Sequence, residues 1–443
     1  MHQRQHSQMR MMLVLVLVVM QAALCLGQIA PPAEVTIDFR QREAGIKSMS
    51  GFLHSLSGGK PPDSMIVPLH PALWRDGPSL ERFARVNRLG ARLIVVVSDI
   101  WRGEQPKKMP YDDYAAWDTL ITKHARILRG KNVIWDIWNE PETKHYWSGT
   151  PSQFLETFHR AHDILRRELG DSAVISGPSI VVWDSPVLGI RQFMEYCRSN
   201  GLRVDVLSWH ELGEEKDIPK IADHLKYARK EFIDNPAYSS VHVKEIQINE
   251  IVGQSSHYKP SAILAWFTYL EEGRADGACK ACWMDDDGNA SCGNYTLDGI
   301  LTPKTFRPRA AWWVYKLYSD GIKSRVLSTS SEPSVVCLSS QTSSDSGQAQ
   351  ILLGLFDTGQ HEDTMASVNL SLRNVEKLPF VKGQGRVEVT FFRVPDSGPL
   401  PLPHPILERK ETLSMSTNGI KVQLPHISMH EVYLLLLRWT TTG

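Results

Sequence analysis

The stretch NVIWDIWNEPE, residues 132–142, begins as a buried strand and ends in tryptophan, asparagine and glutamate. Val133 and Ile134 are typical of a strand in the core of a sheet. A strand end that serves only packing does not need a carboxylate, yet Asn139 and Glu140 stand there. The stretch therefore predicts a buried strand with polar chemistry at its carboxyl end, and a partner for Glu140 must come from elsewhere in the chain.

Short apolar runs alternate with helix-like segments between residues 48 and 324. The segment after Thr150 shows the helix signals most clearly, with Pro151 at the first helical position and Gln153 completing a capping box. Eight strands separated by helices predict a closed (β/α)8 TIM barrel, and an open doubly wound sheet is the alternative. The eight runs are KSMSGFLH, SMIVPLHP, ARLIVVVSD, NVIWDIWNE, AVISGPSIV, VDVLSWHE, EIQINEIV and DGACKACWM.

The pattern changes after residue 324, where short strand candidates are separated by turn-rich stretches such as PDSGPLPLPHP. This is typical of an antiparallel β-sandwich, which we predict for residues 325–443. Residues 28–47 contain a further strand, EVTIDF, which we expect to join the sandwich, with the barrel inserted between.

Residues 1–27 have the three-part pattern of a signal peptide, with basic residues, the apolar run MMLVLVLVVM and then small residues. The apolar run is shorter than the ~20 residues that cross a membrane, so we expect a secreted or lysosomal protein without membrane insertion, and an uncleaved signal anchor is the alternative. Lys plus Arg and Asp plus Glu are both 49, and this balance argues against a nucleic-acid partner. Three glycosylation sequons fit a secreted chain, at Asn289, Asn294 and Asn369.

Five cysteines remain after Cys25 of the signal segment, so at least one thiol is free or pairs between chains. Three of them are close in sequence, and either Cys282–Cys292 or Cys279–Cys292 is a candidate disulfide. The set lacks a fourth ligand for zinc, and DDDGN at 285–289 lacks the context of a calcium loop. We therefore expect no metal and no cofactor, and the oligomeric state stays open.

Two glutamates are expected at the mouth of the barrel, because active sites of this fold lie at the carboxyl ends of the strands. The fourth strand ends in Glu140, and the seventh, EIQINE, ends in Glu250 on the opposite side. Glycosidic cleavage needs such a pair, in which a protonated carboxyl donates to the leaving oxygen and an ionised one attacks the anomeric carbon. Glu245 begins its strand at the wrong end, and Glu142 and Glu214 in loops are the remaining acids to consider.

WNEP at the end of strand four, together with Glu250, resembles clan A of the retaining glycoside hydrolases. The signal segment, short first crossover and C-terminal sandwich most resemble family 39, which contains β-xylosidases and α-L-iduronidases. The resemblance implies that Glu140 is the general acid/base, that Glu250 is the nucleophile and that Asn139 binds the neighbouring sugar hydroxyl. His54 and His210 match positions that hold the substrate or the nucleophile. Glu211 and Leu212 follow His210 where the family pattern has an aromatic residue, which leaves the sugar specificity open.

Aromatic residues at the predicted strand ends also favour a carbohydrate ligand, since flat rings pack against the C–H faces of sugars. Any one of them is more often a core residue than a platform, so the interpretation depends on the group. The candidates are Trp101, Trp138, Trp183, Trp209, Tyr258 and Trp283.

These features predict a secreted retaining glycosidase, with a xylosidase-like activity as the first choice. An iduronidase-like, other β-glycosidase or endo-glycanase activity is the alternative; an iduronidase needs basic residues near the sugar carboxylate, for which Arg75, Arg102 and Lys144 are candidates. A non-catalytic carbohydrate-binding protein is the alternative from another class, although such proteins typically lose one of the two carboxylates. A structural or adhesion role would leave the pair unexplained.

Overall fold

The computed structural model describes residues 31–77, 79–342, 347–359, 365–382, 385–416 and 419–440. Within these ranges the chain forms an eight-stranded parallel sheet and a nine-stranded, mostly antiparallel sheet. The predicted fold class, a TIM barrel with a C-terminal β domain, is confirmed. The proposed signal peptide at 1–27 lies outside the described residues, and within them no helix has the length and apolarity needed to span a bilayer.

Strand β1 precedes the barrel, and the eight barrel strands then follow in spatial as well as chain order. The first and last barrel strands approach closely at Gly51. A side chain at that position would collide with the carbonyl of Ala278 in the last barrel strand, so glycine allows the ring to close. The bounds are β1 Ala33–Arg42, β2 Gly51–Leu53, β3 Leu73–Asp76, β4 Arg92–Val96, β5 Val133–Asp136, β6 Ile175–Ile180, β7 Val206–Glu211, β8 Glu245–Ile251 and β9 Gly277–Lys280.

Helices lie between the barrel strands, and the longest begins at the predicted capping box. The Thr150 side chain accepts from the N–H of Gln153, whose side chain accepts from the N–H of Thr150. The bounds are α1 Asp63–Ile66, α2 Leu80–Arg88, α3 Val97–Glu104, α4 Tyr114–Ile127, α5 Pro151–Leu169, α6 Ile190–Ser199, α7 Lys220–Ala228, α8 Pro260–Glu272 and α9 Ala310–Gly321.

The prediction of the second barrel strand at SMIVPLHP was wrong. Those residues form α1 and a 3₁₀ turn, and the strand is β3, with the sequence LWRD. Arg75 and Asp76 break the apolar pattern of that strand, but both side chains are buried because they pair with other charged groups, Arg75 with Asp136 of β5 and Asp76 with Arg82 of α2. Because of these charged residues, the strand cannot be recognised as an apolar run in the sequence.

The second sheet contains β1, which lies between β10 and β13, antiparallel to the former and parallel to the latter. Strands from both ends of the sheet share one apolar core, so the sheet folds over on itself. The bounds are β10 Arg325–Ser330, β11 Val335–Ser340, β12 Gln348–Leu355, β13 Met365–Arg373, β14 Arg386–Val394, β15 Ile406–Ser414, β16 Ile420–Ser428 and β17 Val432–Thr440.

The two parts of the molecule meet where α8 and α9 pack on β11 and β12. A buried ion pair lies in this interface, with Nε of Arg325 3.0 Å from Oε2 of Glu271. Both side chains are almost completely buried, so each charge depends on the other for its compensation.

Candidate active site

The carboxyl ends of the parallel strands bring Glu140 and Glu250 together. Glu250 is the last residue but one of β8. Glu140 lies four residues beyond β5, and its backbone is in the left-handed region, with φ 48°. Its N–H donates a hydrogen bond of 2.9 Å to the carbonyl of Ser179. One carboxylate oxygen of each glutamate and one ring nitrogen of His210 lie within 4.8 Å of one another. The pair that the sequence indicated therefore converges on one point.

The side chain of Glu140 is largely buried, with 13% of its surface exposed. Burial raises the pKa of Glu140, and the charges of Arg75 and His145 only partly oppose this effect. The carboxyl is therefore suited to hold a proton and to donate it.

His210 contacts Glu140, with Nδ1 3.0 Å from Oε1 of the carboxyl group. The ring is completely buried, and burial lowers the pKa of His210 to about 4. A neutral imidazole accepts from a protonated Glu140 or donates to an ionised one, so the contact serves both protonation states. Nε2 of the ring has no hydrogen-bond partner among the described residues.

Glu250 accepts a hydrogen bond of 2.8 Å from Nη1 of Arg75. The same guanidinium donates two further hydrogen bonds, one of 2.9 Å from Nε to Asp136 and one of 2.7 Å from Nη2 to Oδ1 of Asn139. Burial opposes the charge of Arg75, but Asp136 and Glu250 outweigh it and raise the pKa of the guanidinium. Arg75 thus joins Glu250 to Asn139, whose Nδ2 donors are unpaired within the described part of the chain.

The network behind Arg75 continues into the interior of the barrel. Asp136 accepts a hydrogen bond of 2.7 Å from the hydroxyl of Ser179. Asn249 donates to Asp136 after 3.3 Å. Sequence reasoning missed Asp136 and the role of Arg75; a charged residue inside a strand that must be buried is the signal that could have found them.

His54 lies at the end of β2, on the wall of the same cleft, with 26% of its side chain exposed. Its Nδ1 is 3.1 Å from Asp76, and its Nε2 is 3.5 Å from Asp99. Burial opposes protonation, but the hydrogen bond and charge of Asp76, with the charge of Asp99, raise the pKa of His54. The ring is therefore anchored by two acids.

Three of the predicted aromatic platforms are wrong, because Trp101, Trp138 and Trp209 are buried and present no face to a ligand. The indole N–H of Trp101 donates to the carbonyl of Lys108 after 2.7 Å, and that of Trp209 to Glu211 after 2.7 Å. These rings fill the space between strands and helices, which is the more frequent role of a tryptophan.

The other predicted aromatic residues are partly exposed. Trp183 stacks on His224, with ring centroids 4.8 Å apart. The hydroxyl of Tyr258 donates to Asp285 after 2.6 Å, and the indole of Trp283 donates to the carbonyl of Val252 after 2.8 Å. These three can contribute to the rim of the cleft.

The other candidate acids are held by other groups or lie at the opposite end of their strand, and the candidate bases are engaged to different degrees. Oε1 of Glu142 accepts from the N–H groups of Val181 and Val182 and braces a loop. Glu214 pairs with Lys216 after 2.6 Å, and Glu245 lies at the amino end of its strand. Of the candidate bases, Arg75 is occupied by acids, Arg102 covers the ring of Tyr146 at 4.9 Å and Lys144 is exposed.

Of the two candidate disulfides, the structure contains Cys282–Cys292. Cys279 is buried and free, as are Cys197 and Cys337. Among the sequons, Asn289 is exposed, Asn294 donates to Asp285 after 3.0 Å and Asn369 lies on β13. Asp285 and Asp286 of the DDDGN loop pair with Arg309, at 2.8 and 2.6 Å.

Comparison with known proteins points to the same kind of chemistry as the two glutamates of the site. Residues 101–243 match the model of the family described as glycosyl hydrolases family 39. This match supports a glycosidase that acts on O-glycosyl compounds and therefore has a carbohydrate substrate. A search of curated proteins found no match to the chain.

Solved structures share the fold over nearly the whole chain. A glucosidase from Croceicoccus marinus is 13% identical with a TM-score of 0.64, and 93% of this chain and 100% of that one are covered. A family 39 enzyme from Xanthomonas axonopodis pv. citri is 14% identical with a TM-score of 0.64, covering 93% and 98%. A monomeric β-xylosidase from Caulobacter crescentus is 11% identical with a TM-score of 0.62, covering 91% and 99%. The chain resembles clan A glycoside hydrolases, and family 39 in particular.

Proposed function

From this resemblance we propose that the chain is a retaining glycosidase, with Glu140 as the general acid/base and Glu250 as the nucleophile. The observation that carries the proposal is the separation of their carboxylate oxygens, at most 4.8 Å. Retaining enzymes hold the two carboxyl groups about 5–5.5 Å apart, whereas inverting enzymes leave about 6.5–9.5 Å for a water molecule. The separation found here is on the side of the shorter, retaining spacing, and this supports the proposal.

The proposed reaction has two displacements. An oxygen of Glu250 attacks the anomeric carbon while the bond to the leaving oxygen breaks, and the proton of Glu140 passes to that oxygen. Glu140, now ionised, takes a proton from water; the water oxygen attacks the same carbon and releases Glu250. Arg75 holds Glu250 in place, and Asn139 offers its free Nδ2 donors to a sugar hydroxyl.

We propose a neutral sugar such as a xyloside as the first substrate class. The support is the state of Arg75 beside the pair: it is buried and already donates to Asp136, Glu250 and Asn139, so its charge is compensated within the protein. Arg102, beside Tyr146, is a base whose charge is not compensated in this way, and it keeps an iduronidase-like activity as the second choice.

Secretion, or delivery to the lysosome, belongs to the same proposal. The apolar run at 11–20 follows basic residues, and the described residues include the Cys282–Cys292 disulfide, which is typical of oxidising compartments. Expression in secreting cells followed by N-terminal sequencing tests this proposal, and we expect the mature chain to begin after residue 27.

A screen of chromogenic aryl glycosides tests the activity. We expect hydrolysis of a β-xyloside or a related neutral glycoside, and proton NMR during the first turnovers should show the sugar released with the anomeric configuration of the substrate. Release of the opposite anomer would overturn the double displacement, and no hydrolysis across neutral and uronic glycosides would overturn the glycosidase.

A further inference from the structure

Residues 282–292, which we call the disulfide hairpin, lie directly after β9 at the mouth of the barrel. The Cys282–Cys292 bond closes the segment. Inside it, Met284 and Ala290 form an antiparallel bridge, and the N–H of Ser291 donates to the carbonyl of Trp283 after 2.8 Å. The segment is therefore a compact unit, cross-linked by both covalent and hydrogen bonds.

The first contact of the disulfide hairpin is with the residue after His54. The hydroxyl of Ser55 is buried and points at two hairpin carbonyls, those of Cys292 at 2.6 Å and Ser291 at 2.9 Å. His54 and Ser55 both have left-handed backbones, with φ of 37° and 56°. Such conformations are costly for residues other than glycine and persist only where the surroundings hold them. The hairpin thus supports the turn that aims His54 into the cleft.

The second contact is with the residue that lies two positions after Glu250. The indole N–H of Trp283 donates to the carbonyl of Val252 after 2.8 Å. Val252 is fully buried and has φ 73°, which is unfavourable for a β-branched side chain. The same hairpin therefore supports the chain directly after the proposed nucleophile.

The turn of the disulfide hairpin is itself fixed. Asp285 accepts a hydrogen bond of 2.6 Å from the hydroxyl of Tyr258 and one of 2.8 Å from Nη1 of Arg309. Arg309 is completely buried and also donates from Nε to the carbonyl of Pro399 in the C-terminal domain after 2.8 Å. A hairpin anchored in this way can hold two strained turns at once.

We propose that the disulfide hairpin is the positioning element of the active site. Ser55 and Trp283 are the positioning residues, because their hydrogen bonds join the hairpin to the backbone next to His54 and Glu250. Opening the disulfide frees both turns, so exchange of their backbone amides accelerates together and hydrolysis slows. The kinetic part of the inference rests on the proposed function, whereas the structural part does not.

Hydrogen exchange read by mass spectrometry tests the structural part on the full chain. In the double variant Cys282→Ser, Cys292→Ser, we expect peptides spanning 50–57 and 250–254 to exchange roughly tenfold faster than in the unchanged protein. Peptides from β4 should not change. The matched control is Met284→Ala, which alters an exposed hairpin side chain and should leave all these peptides as they were. Unchanged exchange at both sites in the double variant would overturn the inference.

Single substitutions keep the test available where the double variant does not fold. Ser55→Gly removes the hydroxyl and suits the left-handed backbone, so it isolates the hydrogen bond from strain. Trp283→Phe removes the donor and keeps an aromatic ring. We expect faster exchange at 50–57 in Ser55→Gly and at 250–254 in Trp283→Phe. If both variants exchange at these peptides as slowly as the unchanged protein, the result counts against the proposal.

Kinetics on a glycoside that the protein hydrolyses complete the test. We expect Ser55→Gly to act mainly on KM, Trp283→Phe mainly on kcat, and each to lower kcat/KM by roughly 10- to 100-fold. The alkaline limb of the pH profile should stay in place, because neither change touches Glu140. A protein that hydrolyses nothing disproves the proposed function and leaves the exchange experiment to decide the positioning role. Unchanged kcat and KM in both variants would overturn that role.

Discussion

The ring of His210 lies 3.0 Å from the carboxyl group of Glu140, whereas Glu250 contacts the guanidinium of Arg75 at 2.8 Å. The two carboxyl groups share one cleft but have different partners, a buried neutral imidazole for one and a buried cation for the other. A neutral partner and burial suit an acid that holds its proton, and a cation suits a carboxylate that attacks as an anion. The roles proposed for the pair follow from this asymmetry.

Replacing Glu250 with glutamine removes the attacking oxygen while it keeps the shape and a hydrogen-bond acceptor for Arg75. We expect kcat to fall by roughly a thousandfold or more on every active substrate. Glu214→Gln is the matched control, because Glu214 is an exposed loop acid and its replacement should leave kcat unchanged. Steady-state rates and thermal unfolding of both variants make the comparison; a Glu250 variant that keeps its activity would exclude the assigned nucleophile.

Replacing Glu140 with glutamine should give a loss that depends on the leaving group. A dinitrophenolate departs without a proton, whereas an alkyl or sugar alkoxide needs one from Glu140. We expect the rate of bond cleavage, measured in a single turnover, to fall by roughly 100- to 10,000-fold on poor leaving groups and far less on dinitrophenyl glycosides. Equal losses on both classes would mean that Glu140 does not act as the acid.

The sequence located Glu140 and Glu250 because the runs before them are long enough and apolar enough to mark buried strands. A barrel then places the ends of such strands at one mouth. Strand β3 could not be found in this way, since LWRD is short and half of its residues are charged. Its Asp76 pairs with Arg82 of the following helix, but Arg75 is buried because Asp136 and Glu250 of distant strands pair with it, and that pairing has no local signal.

The direction of a tryptophan ring is the other feature that the sequence left undetermined. Trp138 lies two residues before Glu140, yet its ring packs among Trp117 and Trp147. A residue near a strand end turns outward or inward according to the helices packed beside it. The disulfide partner was likewise open, because Cys279 and Cys282 are both near Cys292 in sequence, and only the fold buries Cys279 inside the barrel.

The pH dependence of kcat/KM should show the raised pKa of Glu140. The acid is active while protonated, so activity persists above the ordinary range of a glutamate and falls as the pH rises through the raised pKa. His145 is exposed, and its charge lowers the pKa of Glu140. We therefore expect His145→Asn to move the alkaline limb to higher pH, and a limb that moves to lower pH would contradict the assignment.

Removal of the Arg75 cation should cost both stability and activity. Arg75→Met leaves Asp136 buried without its ion-pair partner and Glu250 without its donor. Breaking a buried pair costs about 3–5 kcal/mol of unfolding free energy, and we expect a loss of that order together with a large drop in kcat. Arg102→Met is the control, because its exposed guanidinium covers only the ring of Tyr146 and should contribute about 1 kcal/mol or less. Equal stability of the two variants in urea unfolding would argue against the buried network.

The ion pair of Glu271 and Arg325 offers a similar test at the boundary between barrel and sandwich. Glu271→Gln leaves Arg325 charged in an environment that exposes 1% of its side chain, so we expect a loss of about 3–5 kcal/mol in unfolding free energy. Replacing both residues with leucine removes the two charges together and should restore most of that loss, because apolar pairs often replace buried ion pairs at little cost. Urea unfolding of Glu271→Leu, Arg325→Leu and the double leucine variant forms a cycle that measures the coupling. Additive losses would show that the pair does not hold the two domains together.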